Sequence, residues 1–553
     1  MSQLPALLLL TMLGGAVLTF LGGLWRTPAA KTLAVTTSSV ALVLSVTGLV
    51  TAVTEGPVTH ELGGWPPPIG IEYVLDPLAG FVLTLMTAIG LLVTIYPTQA
   101  AFTRKAAPGK PMFTLVLLLQ AGLVGVVLSG DLFHLFVFLE IYAIATYALI
   151  ALGGRRAVFA SFRYLLIGTV GSSLYLLGVG FVYFMTGSLN MADVAERLPA
   201  LADSPTIAGA LALIVVGLGI KMALFPLHVW LPDAHTYAPP GVAALLAAVQ
   251  VKAAAYALIR ILFDVFGPAY VADLHVTTLL AYFGAGGVVV GSVMAVRVKD
   301  IKRLLAYSTV AQLGFIGMGI GMATPLALVG ALFHVLNHAI MKSALFLVAG
   351  GVLAQTGIKE IARYAGMWRR MPWTMAGFGI AALAMIGIPP TAGFFSKWYL
   401  FRGSLETGQW VLTVVIVTST LLTLAYFLRL FEQIFTQEPA EEAVEQAREP
   451  EARVLGPVTV LAGALLVFGL GVPMNGVWWH LVVTLGLLLF TATAVGLVLA
   501  MLAETDSQAV QYAMLVLLAT IFLSGFLLSL ERFVPIAQPL PWALPATYGI
   551  QTV

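Results

Sequence analysis

Long apolar segments separated by short polar ones run through the whole chain. A helix needs about 20 apolar residues to cross the hydrocarbon core of a bilayer, so each such segment predicts one membrane-spanning helix. The apolar segments lie at residues 4–25, 32–53, 74–98, 112–130, 132–152, 158–187, 206–230, 241–265, 275–297, 303–322, 325–354, 373–401, 409–434, 454–473, 481–502 and 509–530. The pattern predicts an all-α polytopic membrane protein with about sixteen helices.

Arginine and lysine fall mainly in every second loop between these helices. If the N-terminus lies outside, the inner loops contain Arg26, Lys31, Arg104, Lys105, Lys110, Arg155, Arg156, Arg297, Lys299, Lys302, Arg303, Lys359, Arg363, Arg369, Arg370, Arg448 and Arg453. The opposite loops contain few basic residues, and the loop at 54–73 has three glutamates without lysine or arginine. Cytoplasmic loops are enriched in Lys and Arg, so the alternation predicts a multi-pass protein of the prokaryotic cell (inner) membrane with its N-terminus outside.

Composition narrows the class of protein further. Of the 553 residues, 60% are hydrophobic and 9% are charged, with a formal net charge of +2. These values exclude a soluble domain and give no reason to expect a nucleic-acid partner. The chain has no cysteine, which excludes thiolate-bound metals, iron–sulfur clusters and disulfides, and its eight histidines lack a metal-ligand spacing, so no metal or cofactor is expected. The apolar N-terminus lacks the features of a signal peptide and predicts a first membrane helix.

Two of the predicted helices are interrupted by proline. Lys221 is followed by Pro226 in the seventh helix, and Pro389 and Pro390 precede Lys397 in the twelfth. Proline removes a backbone donor and breaks a helix, and broken helices beside buried charges form the ion sites of transporters. Because these two helices are five apart, an odd number, the pattern predicts two repeats inserted in opposite orientations.

Three charged residues lie deep inside predicted helices. Glu140 is in the fifth helix, Lys221 in the seventh and Lys252 in the eighth, both lysines near mid-length. A charge at this depth is costly and usually faces the bundle interior or a water-filled cavity. We expect Glu140 to pair with Lys221, so that a proton reaching either partner changes the proton affinity of the other. The alternatives are a purely structural ion pair and lysines that extend to the membrane surface.

Helix eleven carries three ionisable residues at intervals of four, His334, His338 and Lys342. This spacing puts them on one face of the helix, and histidine exchanges protons near neutral pH. Together with Lys221, Lys252 and Lys397, the two histidines predict a water-bridged row of groups that passes protons along the membrane plane. The alternative is that the histidines fix helix packing through hydrogen bonds. A metal site at His334 and His338 is disfavoured because no carboxylate is near in sequence.

Five further polar residues lie close to helix ends. Asp131 and His134 lie at the end of helix five and are expected to cap it or to line an entrance. His228, Asp233 and His235 lie in the bend after helix seven, near the inner surface. They either admit protons or stabilise the bend, and both roles stay open at this point.

Four stretches of the chain resemble one family of membrane subunits. They read FPLHVWLPDAHTYAPPGVAALLAAVQVKAAAYALIR, IKRLLAYSTVAQLGFIGMG, LFHVLNHAIMKSALFLVAG and GIPPTAGFFSKWYLF. The family is that of the antiporter-like subunits shared by Mrp-type multisubunit Na⁺/H⁺ antiporters, complex I and its hydrogenase relatives. The likeness covers roughly residues 70–475 and is strongest to the D-type component of Mrp antiporters.

This resemblance implies fourteen core helices, inverted repeats formed by helices 4–8 and 9–13, and a central hydrophilic axis. It implies that the functional residues are Glu140, Lys221, Lys252, His334, His338 and Lys397. It also implies partner subunits in the bilayer and transport of H⁺ and a monovalent cation. The chain would then divide into N-terminal helices (1–110), two repeats (111–270 and 271–435), a polar cytoplasmic linker (436–453), helix fourteen (454–475) and a C-terminal hairpin and tail (476–553).

The last of these segments departs from the family. It resembles the C-terminal end of an ABC-type export permease, yet the chain contains no G-x-x-x-x-G-K-[ST] nucleotide-binding motif. Two helices cannot form the transport path of such a permease. We therefore expect residues 476–553 to pack as a helical hairpin on the core or on a partner subunit.

The leading hypothesis is the proton-translocating subunit of a monovalent cation (Na⁺)/proton antiporter, a secondary transporter and not an enzyme. The alternative is a proton-pumping subunit of a respiratory complex I or a membrane-bound hydrogenase, in which redox energy comes from partner chains. A third hypothesis, an export permease, rests on the tail alone.

Overall fold

The computed structural model of the protein describes residues 3–96, 111–470 and 508. The chain divides into two compact units, Met1–Leu470 and Gly471–Val553, and apart from Gln508 the described residues belong to the first unit. Apart from that one residue, the predicted hairpin and tail at 476–553 lie outside the described residues. So do three basic loop residues, Arg104, Lys105 and Lys110.

Helices account for most of the described chain. They are α1 (Leu4–Trp25), α2 (Thr27–Thr54), α3 (Pro77–Ile95), α4 (Pro111–Leu128), α5 (Leu132–Ala151), α6 (Arg155–Thr186), α7 (Met191–Arg197), α8 (Pro205–Met222), α9 (Leu231–Tyr237), α10 (Pro240–Leu245), α11 (Val251–Ile259), α12 (Pro268–Asp273), α13 (Val276–Arg297), α14 (Ile301–Met322), α15 (Pro325–Thr356), α16 (Pro372–Ile386), α17 (Ala392–Glu406), α18 (Trp410–Phe431), α19 (Glu442–Glu445) and α20 (Ala452–Leu470).

Shorter elements extend or connect these helices. Segments of π-helix follow α10, α11 and α18, at Leu246–Gln250, Arg260–Val265 and Glu432–Thr436. Single 3-10 turns lie at Leu62–Gly64, Leu198–Leu201, Ile361–Arg363 and Met367–Arg369. Two strands, β1 (Val58–Glu61) and β2 (Glu72–Leu75), pair antiparallel with Val58 opposite Leu75.

Thirteen helices of the described residues are long and apolar enough to cross a membrane. The twelfth predicted helix is not among them because it is split into α16 and α17. Adding this broken helix gives the fourteen core helices that the resemblance implies, and the all-α polytopic fold is confirmed. The two remaining predicted helices, at 481–502 and 509–530, lie outside the described residues.

The predicted seventh helix, residues 206–230, is not continuous. α8 ends at Met222, and Ala223 adopts a left-handed backbone conformation with φ of 58°. Pro226, which follows, has no N–H to continue the helical hydrogen bonds, and the chain becomes helical again only in α9. Lys221 therefore lies in the last turn of a helix, and its predicted place near the middle of one is corrected.

Each predicted repeat contains a broken helix as its fourth member. α8 and α9 follow α4, α5 and α6, whereas α16 and α17 follow α13, α14 and α15. Glycine lets neighbouring helices approach closely: a Cβ on Gly284 of α13 would lie 2.5 Å from the Met318 backbone nitrogen of α14. Every residue from Pro240 to Ile259 is buried and α14 is nearly so, which places these two helices at the core of the bundle.

Loops that carry basic residues meet at one end of the bundle. The Ile301 N–H donates to the Lys359 carbonyl at 3.0 Å, which joins the loop before α14 to the loop after α15. At the opposite end, an antiparallel backbone bridge between Tyr73 and Ser129 joins the β1–β2 hairpin to the loop after α4. Successive loops thus lie at alternate ends of the bundle, as the charge pattern of the sequence predicts. That the end with the basic loops faces the cytoplasm stays a prediction.

The polar segment 436–453 lies against the loop before α16. Arg363 forms an ion pair with Glu441 at 2.5 Å. Glu449 accepts hydrogen bonds from the first turn of α16, including one from the Thr374 hydroxyl at 2.6 Å. Because the first backbone N–H groups of a helix lack intrahelical partners, Glu449 acts as a cap supplied from a distant part of the chain.

We predict that Glu449→Ala destabilises the protein by about 1 kcal/mol, the usual cost of losing an N-terminal cap. The measurement is the midpoint of thermal unfolding of the purified protein in detergent. Glu445→Ala is the matched control, since Glu445 is exposed in the same segment. Equal midpoints for the two variants would contradict the capping role.

Candidate functional site

Glu140 and Lys221 form an ion pair inside the bundle. The Lys221 amine donates to Glu140 Oε1 at 3.2 Å, and the Ser172 hydroxyl of α6 donates to the same oxygen. The Lys221 side chain is 1% exposed and that of Glu140 is 29% exposed. The centroid of the Tyr142 ring lies 5.8 Å from the amine, within the range of a cation–π contact. The carboxylate of α5 is thus held by two donors from two other helices.

The break after α8 gives Lys221 a second favourable environment. The last carbonyls of a helix lack intrahelical partners and carry partial negative charge, which stabilises a nearby cation. The Trp230 indole N–H donates to the Ile220 carbonyl at 2.9 Å, so one of these carbonyls is bonded to the segment beyond the break. Lys221 therefore belongs to the last turn of a helix, where a positive charge is favoured, and its ammonium group is bonded to the Glu140 carboxylate.

Lys397 makes a related contact at the second broken helix. It belongs to α17, and its buried amine donates to the Met385 and Ile386 carbonyls at the end of α16, at 2.8 and 3.1 Å. The amine also lies 5.4 Å from the centroid of the Phe315 ring. The second segment of the helix thus caps the C-terminus of the first with a cation, an arrangement that the helix dipole favours.

Lys252 and Lys342 lie at the core of the bundle, between the two breaks. Lys252 is 1% exposed and its amine donates to the Ala247 carbonyl in the π-helical segment. Lys342 is fully buried, and its amine donates to the Leu305 carbonyl at 2.9 Å and to the Ser308 hydroxyl. The two amines lie close enough for their charges to interact. In the described chain neither amine is bonded to a carboxylate.

The two histidines of α15 have different surroundings. His334 is bonded through Nδ1 to the Ser396 hydroxyl at 3.0 Å and through Nε2 to Gln312 Oε1 at 2.9 Å. The His338 ring is stacked on it with the centroids 6.0 Å apart. Neither nitrogen of His338 has a hydrogen-bond partner among the described residues, although the side chain is fully buried. His334 joins α14, α15 and α17, whereas His338 is free to bond to water.

The three residues of the bend after α8 separate into distinct roles. Asp233 forms ion pairs with Arg163 at 3.1 Å and with Arg303 at 3.5 Å. His235 is fully buried, and within the described residues neither of its ring nitrogens has a partner. His228 is half-buried and its ring lies 5.5 Å from that of Phe225. Asp233 therefore ties helices together, and His235 belongs to the interior.

Asp131 caps α5 and lies beside His134. Its Oδ1 accepts the His134 backbone N–H at 2.7 Å, and the His134 ring bonds through Nδ1 to the Ser129 hydroxyl at 3.2 Å. Burial raises the pKa of the Asp131 carboxyl above its ordinary value, although backbone N–H groups of His134 and Phe133 partly oppose the rise. Of the two roles expected for Asp131, the structure shows the cap.

The candidate residues form three groups. Glu140 and Lys221 make the first, and His334 and Lys397, whose charges interact, make the last. A middle group consists of residues close enough for their charges to interact: Lys252, Lys342, His235 and His338. His334 is close to both His338 and Lys252, so the last two groups adjoin. The first group is not in direct contact with the middle one in the described chain.

Uncharged residues connect the first group to the middle one. The Gln250 side-chain amide donates to the Tyr164 hydroxyl at 2.5 Å, and Gln250 precedes Lys252 by two positions in the fully buried span. Tyr164 stacks on Trp230 with centroids 3.8 Å apart, and it lies within the electrostatic reach of Glu140. Gln250, Tyr164 and Trp230 are not among the site residues predicted from the sequence. The signal for Gln250, as for Gln312, was an amide in an otherwise apolar helix.

Fold and site together define a class of protein: a multi-pass membrane protein with two broken-helix repeats and a series of buried ionisable groups that joins them. Within it, a family model described as NADH:quinone oxidoreductase/Mrp antiporter, TM, matches residues 129–423. That match covers more than half of the chain, and the chain belongs to this family.

Two curated relatives illustrate the range of the family. The N subunit of NADH-quinone oxidoreductase from Desulforudis audaxviator is 48% identical over 431 residues, which cover 76% of this chain and 86% of that protein. The D subunit of the Na⁺/H⁺ antiporter from Bacillus subtilis is 33% identical over 439 residues, covering 78% and 87%. The relatives are thus named as subunits of two different kinds of complex, and this chain is similar to both.

Solved structures that are similar to this chain also come from different kinds of membrane complex. A chain of the Mrp complex from Dietzia sp. aligns with a TM-score of 0.77 and 26% identity over 85% of this chain and 94% of that one. A chain of the membrane-bound sulfane sulfur reductase, an archaeal respiratory membrane complex, aligns with a TM-score of 0.79 and 30% identity over 85% and 94%. A second family model, ABC-2 type transporter, matches weakly at residues 454–553, most of which lie outside the described residues.

We predict that Asp131→Asn stabilises the protein at pH 7 to 8 and has little effect near pH 4. An asparagine side chain can still cap α5. Because burial raises the pKa of Asp131, the protonated carboxyl favours the folded state. Its stabilisation is complete below the ordinary aspartate pKa of about 4 and is lost as the pH rises through the raised value.

The measurement is the thermal unfolding midpoint of wild type and variant in detergent across this pH range. Asp300→Asn is the matched control, because Asp300 caps α14 in the same way but is half-exposed. This control separates the effect of burying the carboxyl from the effect of replacing a capping aspartate. If Asp131→Asn lost stability relative to wild type as the pH rose, burial would not be the dominant influence on Asp131.

Proposed function

We propose that the chain is a proton-translocating subunit of a multisubunit membrane complex, and that protons move along Glu140, Lys221, Lys252, His334, His338 and Lys397. The observation that carries the proposal is the series of buried ionisable groups that extends from the Glu140–Lys221 pair through both repeats to Lys397. Charged groups are costly inside a membrane bundle and are typical of ion and proton paths.

The chemistry of the series favours protons over a metal cation inside this chain. Amines and imidazoles bind and release protons but cannot ligate a hard cation once protonated, and hard cations prefer several oxygen ligands. Glu140 is the one carboxylate that the described residues contribute to the series. We infer that a cation exchanged for protons crosses elsewhere, in a partner subunit or at an interface with one.

The Glu140–Lys221 pair is the natural control point for such transfer. While the pair is intact, the ammonium charge is balanced by a carboxylate 3.2 Å away. Separating the two exposes the middle group to an unbalanced positive charge, and charge interactions are strong in a low-dielectric interior. Opening the pair therefore favours release of a proton farther along the series, which couples a structural change at α5 and α8 to proton movement at α11 and α15.

We propose a monovalent cation (Na⁺)/proton antiporter of the cell membrane as the complex, with other membrane subunits as partners and gradients rather than catalysis as the energy source. The curated relative named as a Na⁺/H⁺ antiporter subunit and the Mrp structure support this assignment. The second candidate is a redox-driven proton pump. It is favoured by the higher identity, 48%, to a relative named as an NADH-quinone oxidoreductase subunit.

We predict that Lys221→Ala lowers proton transport by about tenfold or more in vesicles that hold the complete complex. The change leaves Glu140 without its charged partner, and removing one member of a buried ion pair is strongly unfavourable. The assay is the cation-dependent pH change across the vesicle membrane. Lys299→Ala, which removes an exposed lysine, should leave the rate unchanged. Wild-type exchange by an assembled Lys221→Ala complex would rule out the proposed path.

We predict that only membrane subunits without redox cofactors co-purify with the chain from its native membrane. The expected result is a set of small membrane proteins identified by mass spectrometry, with no flavin or iron–sulfur absorbance in the preparation. Recovery of flavin- or iron–sulfur-containing subunits in stoichiometric amounts would instead assign the chain to a redox-driven complex.

A further inference from the structure

His235 occupies an unusual position between the bend after α8 and the middle group of bases. It is fully buried, with its ring edge-on to Trp230 and Phe346 at centroid distances of 6.4 and 6.0 Å. These rings hold the imidazole in place but satisfy neither nitrogen, and no other described residue bonds to either. Buried polar atoms in native proteins are bonded to protein or to ordered water. The imidazole is therefore set to bond to water.

Lys302 lies between His235 and one end of the bundle. It is the second residue of α14 and follows Asp300, whose backbone pairs antiparallel with that of Glu360 in the loop after α15. Yet its side chain is only 6% exposed, because it turns inward and donates to the Ala238 carbonyl at the end of α9. Ala238 is three residues beyond His235, so the amine is brought to the same short helix as the imidazole.

These two residues continue into the middle group. His235 is close enough to Lys302, Lys252 and Lys342 for the charges to interact. His338, whose ring nitrogens are also unpartnered within the described chain, is equally close to His235. A line of ionisable groups therefore leads from the end of the bundle that holds the basic loops to its core.

The outer end of this line is held by ion pairs. Asp233, on the same short helix as His235, bonds to Arg163 of α6 and to Arg303 of α14. Arg303 adjoins Lys302 in sequence, and all three side chains are partly exposed, at 21% for Asp233, 41% for Arg163 and 38% for Arg303. The ion pairs fix α9 against both repeats at the point where Lys302 turns inward. Their partly exposed side chains stay in contact with water at this end of the bundle.

We propose that Lys302 and His235 form the proton inlet of the chain, connecting the aqueous phase at the basic-loop end with Lys252, Lys342 and His338. The proposal rests on the proposed function and adds two residues and a direction to it. A proton from water binds the Lys302 amine, passes to a His235 nitrogen through water, and leaves from the other nitrogen toward the core. Lys302 returns to the neutral amine, and His235 is left as its other neutral tautomer, which a half-turn of the ring resets, so no other reactant is needed. Asp233 acts as a positioning residue that keeps α9 in place.

Two conservative substitutions test the inlet against a purely structural role. Lys302→Arg keeps a charge and a donor for the Ala238 carbonyl, but a guanidinium does not release its proton in proteins. His235→Asn keeps a polar side chain that does not titrate. We expect each variant to assemble into the complex and to lower proton transport in vesicles by about tenfold or more, as loss of a proton-transfer group does.

Exposed residues of the same two types provide matched controls. Lys299→Arg changes an exposed lysine three residues from Lys302, and His275→Asn changes an exposed histidine at the start of α13. Both should transport at the wild-type rate. A further variant, His235→Gly, separates chemistry from packing: added imidazole should restore its transport and should not restore that of Lys221→Ala.

The outcomes separate the inlet from the function on which it rests. Wild-type transport by assembled Lys302→Arg or His235→Asn complexes overturns the inlet. If Lys221→Ala is inactive in the same vesicles, the proposed function survives that result. If Lys221→Ala is also fully active, the proposed function fails together with the inlet.

Discussion

An ammonium group inside a membrane bundle needs a negatively polarised partner, and this constraint shapes the interior of the protein. Of the buried lysines, Lys221 has a carboxylate, whereas four others donate to backbone carbonyls. These four are Lys252, Lys302, Lys342 and Lys397. A carbonyl inside a regular helix is already engaged, so most of the carbonyls that serve the lysines come from irregular backbone: the π-helical segment after α10, the end of α9 and the end of α16. The breaks in the helices and the buried charges are thus parts of one arrangement.

Residue chemistry and spacing revealed most of the charged part of this arrangement. The depth of Glu140 and Lys221 in apolar segments was enough to propose that they pair, and the structure places their charged atoms 3.2 Å apart. The four-residue spacing of His334, His338 and Lys342 put them on one face, because α15 is a regular helix of 32 residues. Proline marked both broken helices, since its missing donor acts locally and needs no knowledge of the fold.

Other features depend on contacts between distant parts of the chain and could not be read from the sequence. The end of α8 immediately after Lys221 is fixed by Ala223 in a left-handed conformation, which no residue-type preference announces. The partners of His334, Ser396 and Gln312, come from two other helices. Lys302 looked like one more basic residue of an inner loop, and only the packing of α14 against α9 turns it inward.

The charge balance of the interior limits how the series can work. The described residues supply one carboxylate, Glu140, to a series of at least four lysines and three histidines. If all of these bases were protonated together, their mutual repulsion in a low-dielectric interior would far exceed what backbone carbonyls can offset. The series must therefore hold few protons at any moment, and a proton arriving at one end favours the departure of another.

The ends of α8 and α16 supply the fixed part of this electrostatic field. Both helices end inside the bundle. Lys221 belongs to the last turn of α8, and the Lys397 amine, from beyond the break, donates to the carbonyls at the end of α16. A helix C-terminus carries roughly half a negative charge that no change in pH removes. The carbonyls therefore attract a cation equally well at every stage of transfer, whereas Glu140 can be neutralised or drawn away. Of the two acceptors that balance these lysines, the carboxylate and the helix-end carbonyls, only the carboxylate can change its own charge, so the variable balancing charge lies at the Glu140–Lys221 pair.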